Sequence, residues 1–293
     1  MASTGIPVAE VVTVAGGRAV GVYEYGDPAG RPVLALHGVP ACGAGFAFTD
    51  APARARGLRI VAPDRPGVGR SAPLEGHSVA GYPAQVEALA DAMGLDRFGV
   101  LGYSGGGPYA VALAAGLPAR VTRTAVCAGM GQVGEWAAVA DFEKTDTQFL
   151  EMSVAHPGRA RLLLGVTGKL AKLSPKSAVK SFAKQLSETD RAAIESLGTP
   201  AEAMALFTEA FTTGARGVVA DYAALNGPWG VDLAAITGPV RVFQGDADTM
   251  VPLRHSEELA KRLPHADLVV WPDAGHLGTI THVEGILDWL AEK

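Results

Sequence analysis

The amino-acid sequence predicts an α/β protein: a mainly parallel eight-stranded sheet flanked by helices, with an inserted all-helical cap. Three observations carry that expectation. Short apolar runs bounded by turn residues alternate with amphipathic stretches up to residue 128 and again from residue 239, the rhythm of strands joined by helical crossovers. Between them, residues 131–226 keep helical periodicity with almost no strand signal. At 48% hydrophobic and 19% charged, the 293 residues can cover both faces of such a sheet.

The elements follow in order. Residues 8–14 and 18–25, rich in Val and Tyr around Gly16-Gly17, read as a hairpin. Residues 32–36 form a short apolar strand running into His37-Gly38-Val39-Pro40. A weak helix over 46–56 precedes a strand at 58–62, which ends in Asp64-Arg65-Pro66-Gly67-Val68-Gly69-Arg70-Ser71. Apolar residues at 79, 82, 86, 89 and 93 space a helix over 79–93. Residues 98–101 read as a buried strand, broken at Gly102-Tyr103-Ser104-Gly105-Gly106, and a helix with Pro108 in its first turn begins at once. A sixth strand covers 121–128. Candidate helices at 134–152, 157–173, 175–186, 188–197 and 200–224 make up the cap. A strand at 239–244, a helix at 252–263, a strand at 268–271 and a closing helix at 278–291 complete the chain. The expected division is a core of residues 1–130 and 227–293 with the cap at 131–226 inserted after the sixth strand.

Composition narrows the function. A net charge of −5 argues against a nucleic-acid protein. Cys42 and Cys127 stand alone in apolar surroundings, so neither a disulfide nor a cysteine-rich zinc site is expected. The first ten residues lack the basic-then-apolar pattern of a signal peptide, and no apolar run approaches the roughly 20 residues of a membrane span. The expectation is a soluble cytoplasmic protein that needs no metal or cofactor and acts on a small molecule.

The chemistry concentrates at residues 102–106. Gly-x-Ser-x-Gly between a strand and a helix is the setting of a nucleophile elbow, where the serine sits on a strained turn and its neighbours at two residues before and after lack a Cβ. The helix behind it aims unpaired N–H groups and the positive end of its dipole at the serine. Gly129-Met130-Gly131-Gln132-Val133-Gly134 has the form of a dinucleotide fingerprint, but Glu151, at the distance of the expected acid, lies in a helical stretch rather than at a strand end. These glycines read instead as a hinge into the cap.

The elbow, the 37–40 turn, the 64–71 turn, Gly245-x-x-Asp248-x-x-Val251-Pro252 and Gly275-His276 occur in the order and approximate spacing of the α/β-hydrolase family. The sequence resembles a capped, serine-nucleophile member of it. That resemblance implies a nucleophile after the fifth of eight strands, which agrees with the count above for Ser104. It implies the order serine, acid, histidine, met by Ser104, Asp248 and His276. Asp248 fits the motif better than Asp246, which is expected to brace the same loop. The oxyanion hole is expected from the backbone N–H groups of Val39 and Gly105, with His37 a structural hydrogen-bonding residue behind the turn. The implied activity is hydrolysis of an ester, thioester or lactone of a small to medium, largely apolar substrate through an acyl-enzyme. Carbon–carbon bond hydrolysis, cofactor-free perhydrolase or lyase chemistry on the same triad, and a slow-turnover ligand-sensing relative remain alternatives.

One segment stands apart. Residues 156–187 contain Arg159, Arg161, Lys169, Lys172, Lys176, Lys180 and Lys184 and no acid. They read first as a solvated helix face, and otherwise as a docking face for an anionic carrier, a lipid surface or a partner.

Overall fold

A computed structural model describes residues 8–196 and 199–292. Residues 1–7, with the chain start read above for a targeting segment, and 197, the expected end of a cap helix, lie outside them. Eight strands form one sheet: β1 (Glu10–Thr13), β2 (Ala19–Gly26), β3 (Arg31–Leu36), β4 (Leu58–Pro63), β5 (Phe98–Tyr103), β6 (Val121–Cys127), β7 (Val240–Gly245) and β8 (Ala266–Trp271). Their order is β1-β2-β4-β3-β5-β6-β7-β8, antiparallel at β1/β2 and β2/β4 and parallel elsewhere. The register pairs Leu36 with Gly102, Tyr103 with Cys127 and Gly245 with Trp271. The turns leaving β3, β5, β6, β7 and β8 therefore open at one edge of the sheet, where α/β sheets place their sites.

Burial on both faces explains why the central strands carry no alternation: Leu34, Ala35, Leu36, Val100, Leu101, Ala125 and Val126 are all fully buried. The covering helices before the insertion are α1 (Asp50–Ala55), α2 (Tyr82–Ala92) and α3 (Gly107–Gly116). The insertion between β6 and β7 is helical: α4 (Lys144–Ala155), α5 (Pro157–Leu173), α6 (Pro175–Ala183), α7 (Glu188–Ser196), α8 (Pro200–Glu209) and α9 (Arg216–Leu225). Then come α10 (Leu253–Arg262), α11 (Gly278–Thr281) and α12 (Val283–Ala291).

Three of the predicted helices begin late, divide, or start as a tighter turn. The stretch expected as 134–152 is helical only from Lys144, because Gly134 (φ +82°) closes a turn and Val133 bridges Ala137. The stretch expected as 200–224 is two helices, divided after Glu209, with Gly214 at φ +95° in the break. The predicted 46–56 helix starts as a 3₁₀ turn over Gly43–Thr49.

At one point α9 rests directly on the 64–71 turn. A Cβ on Gly217 would lie 2.0 Å from the carbonyl carbon of Gly67, and one on Gly67 would lie 2.9 Å from Gly217 Cα. Backbone meets backbone there, which only two glycines permit.

Candidate active site

Ser104 follows β5 directly and has φ +54°, one of three non-glycine residues with positive φ among those described. Left-handed backbone costs an ordinary L-residue about 1 kcal/mol, so the surroundings must hold it there. They do so by leaving no room. A Cβ on Gly106 would lie 2.0 Å from Leu36 O, and one on Gly102 would lie 2.6 Å from Gly106 O. The turn from Ser104 to Gly106 leads straight into α3, so the helix start is aimed at the serine.

The loops after β7 and β8 bring Asp248 and His276 together, with His276 Nδ1 2.8 Å from Asp248 Oδ2. Asp248 is fully bonded. Its Oδ1 accepts the backbone N–H groups of Met250 (2.8 Å) and Val251 (2.9 Å), and its Oδ2 also accepts from Gln244 Nε2 (2.8 Å). Gln244 is itself held by Ser256, whose Oγ donates to Gln244 Oε1 at 2.8 Å. With Nδ1 facing a carboxylate, His276 carries its Nδ1 proton and presents Nε2 as the basic nitrogen. Burial alone would lower the His276 pKa, but the charge and hydrogen bond of Asp248, helped by Asp190 and Asp146, outweigh it and raise the pKa above the ordinary value. The ring of Tyr103, next in chain to Ser104, lies 5.2 Å from the His276 ring, and Tyr103 Oη donates to His276 O at 3.3 Å. Asp246 accepts the Asp273 N–H at 2.7 Å and so ties the β7 loop to the β8 loop.

The 37–40 turn packs on the elbow: a Cβ on Gly38 would lie 3.1 Å from Ser104 Cβ, and one on Gly105 would lie 3.3 Å from Val39 N. Arg65 sets the direction of its amides. The guanidinium donates to the carbonyls of His37 and Gly38. Because a trans peptide points its C=O and N–H opposite ways, drawing the Gly38 carbonyl toward Arg65 turns the Val39 N–H away from it. His37 supports the same arrangement, with Nδ1 2.8 Å from Gly38 O and Nε2 accepting the Arg65 N–H at 3.1 Å. Burial, together with the nearby Arg65 charge, lowers the His37 pKa to about 3, so the ring is neutral and its two nitrogens divide into donor and acceptor.

Arg65 is fully buried, and its partner is Asp221 of α9, with Nε and Nη2 on the carboxylate at 2.6–2.9 Å. Tyr109 Oη of α3 donates to the same carboxylate at 2.7 Å, and His77 Nε2 lies 3.4 Å away. Burial opposes the charge on Asp221, but Arg65 and these bonds hold its pKa well below the usual carboxylate range. A second carboxylate reaches in from α7. Asp190 accepts the backbone N–H groups of His276 (2.8 Å) and Leu277 (2.7 Å), one on each oxygen. A third, Asp146 of α4, is bonded by Tyr222 Oη at 2.7 Å, and burial pushes it up to about 6.

Sequence reasoning named Ser104, Asp248, His276, Val39 and Gly105, and missed Gln244, Arg65, Asp190 and Asp221. Arg65 lay inside a motif already noted, but nothing in the sequence pointed to its partner. Asp190 follows Ser187-Glu188-Thr189 and reads as an ordinary acidic helix start. Several aromatics of the insertion pack ring on ring: Phe149 on Tyr222, Trp136 on Trp229 of the segment that follows it, and Phe207 on Phe211.

Comparison with known proteins bears on the fold and the family. The family model described as alpha/beta hydrolase fold matches residues 31–283. The chain is 27% identical over 279 residues to a 2-hydroxymuconate semialdehyde hydrolase of Pseudomonas putida, covering 92% of this chain and 89% of that one. Among solved structures, an esterase from Exiguobacterium antarcticum superposes with a TM-score of 0.71 at 17% identity over 96% of this chain and 97% of that one. An alpha/beta hydrolase fold protein from Nakamurella multipartita does so with a TM-score of 0.64 at 26% identity, over 97% of each chain.

Proposed function

Since the chain belongs to the α/β-hydrolase fold family, we propose that it is a serine hydrolase that cleaves an ester, thioester or lactone of a small to medium, largely apolar substrate through an acyl-enzyme. The observation that carries this reading is that one sheet edge carries a left-handed Ser104 after β5 and, on the loops after β7 and β8, a bonded Asp248–His276 pair that leaves Nε2 free. Ser104 attacks the carbonyl carbon while His276 Nε2 takes its proton. Asp248 fixes the ring and stabilises the imidazolium. The N–H groups of Val39 and Gly105 receive the developing oxyanion, and His276 returns its proton to the leaving group. Water then repeats the sequence and releases the acid. Residues 131–226 act as a cap. Ser104 and His276 are 8% and 4% exposed, so the substrate enters when the cap shifts.

The test is incubation with a fluorophosphonate, wild type beside Ser104→Ala, read by intact mass. One adduct on the wild type and none on the variant is the expected result. An adduct on both, or on neither, overturns the proposal. Carbon–carbon bond hydrolysis is the second reading, favoured by the likeness to the 2-hydroxymuconate semialdehyde hydrolase. Turnover of a vinylogous diketone acid faster than of p-nitrophenyl esters would put it first.

A further inference from the structure

Helix α5 is inside out. Its inward face consists of Ala160, Leu164, Gly168 and Ala171, all buried. Its other large aliphatics are exposed: Leu162 is 69% exposed, Leu163 43%, Val166 45%, Leu170 59% and Leu173 81%. At about 100° per residue these five fall within a sector roughly 100° wide, opposite the buried face. Inward, the small residues let neighbours close in, and the Phe211 ring comes within 3.0 Å of where a Gly168 Cβ would stand. Nothing in the packing of α5 therefore needs the outer leucines.

Basic residues flank the stripe. Arg161, Lys169 and Lys172 run along one side, about 100–180° around from Ala160, and Lys176 and Lys180 continue the basic surface on α6. All are exposed, and among the described residues none of them forms an ion pair. The chain as a whole carries −5, yet residues 156–187 hold seven basic groups and no acid. An apolar stripe beside unpaired cations is the layout of a helix lying in a membrane interface, leucines among the acyl chains and cations at the headgroups.

We propose that the outer face of α5 and α6 docks on an anionic phospholipid bilayer. Charge decides the occupant. A second copy of this chain meeting the same face would set its five cations against five, whereas anionic headgroups neutralise them. No helix among the described residues is long and apolar enough to cross a membrane, so the association is peripheral. α5 packs on α9, and Leu225 of α9 comes within 3.1 Å of a Gly105 Cβ position. The docking face thus forms the outer layer of the lid over Ser104, and lipophilic substrate would reach the site from the bilayer side.

The experiment is sedimentation of the full chain with vesicles of phosphatidylcholine containing phosphatidylglycerol, beside vesicles of phosphatidylcholine alone. It reads binding, not turnover, so its outcome is independent of the hydrolase reading. Two variants are compared with the wild type: Leu162→Asp with Leu170→Asp, and Lys172→Glu with Lys176→Glu and Lys180→Glu. Expected are binding to the anionic vesicles only, a loss of roughly tenfold or more in either variant, and weakening at high salt. Circular dichroism and fluorophosphonate labelling in vesicle-free buffer should match the wild type. Absence of binding by the wild type overturns the proposal. So does binding that survives the leucine changes, or a wild-type dimer that the leucine changes dissociate.

Discussion

Helices α5 and α9 belong to one insertion, and both break the rule that apolar side chains go inside, in opposite directions. On α9 a carboxylate, Asp221, is buried to 1% and locked to Arg65. On α5 five aliphatics are outside and the buried face is mostly Ala and Gly. A buried charge is tolerated only when fully paired, so neither Asp221 nor Arg65 can be lost alone. Leucines left largely in water gain little from folding, so α5 is under less constraint from within. The inner helix is committed to the fold and the elbow, while the outer one is available to something else.

The sharpest break of that contrast is Asp221→Ala. It strands a buried guanidinium and should cost about 3–5 kcal/mol in denaturant unfolding. A loss below about 1 kcal/mol would mean the pair does not fasten the insertion. The double change Arg65→Met with Asp221→Leu should recover much of that stability without recovering turnover, because the Gly38 carbonyl has lost the donor that turns the Val39 N–H.

Asp190→Asn comes next. It removes one acceptor from the paired amides of His276 and Leu277, and turnover should fall roughly 10- to 100-fold with KM little changed. A purely structural role for Asp190 predicts instead a lower melting point with kcat intact. The same variant moves a pH profile. The raised His276 pKa places the rise of kcat/KM with pH above about 6.5, the ordinary value for histidine. Asp190 helps raise that pKa, so Asp190→Asn should shift the limb to lower pH. By linkage, the stabilising contribution of His276 is fully present below about 6.5 and is lost as pH rises through its folded-state pKa. The smallest effect belongs to α5: Leu162→Gln or Leu170→Gln should change stability within about 0.5 kcal/mol.

The sheet was legible because its strands are short apolar runs closed by turn residues, and the Ser104 elbow because a strained serine leaves a glycine signature. The same reading failed over 134–143 and 210–215, where apolar spacing continued but Gly134 and Gly214 take left-handed turns. On α5 apolar spacing marked the helix with its bounds, but periodicity reports that a helix has two faces and not which one turns inward. Asp190 and Asp221 were out of reach for a different reason. An acid in a helix reads as solvated, and its burial depends on a partner 86 or 156 residues away along the chain.

The contact of Gly67 with Gly217 bears on how this scaffold can be re-equipped. A replacement segment grafted between β6 and β7 would seat on the sheet only if it brought a residue without a side chain to that point, since even one methyl group there would meet backbone at 2.0 Å. The clearance acts as a fixed tolerance between two parts. A donor segment that meets it, and carries carboxylates placed like Asp190 and Asp221, could exchange one insertion for another while Ser104 and its neighbours stay untouched.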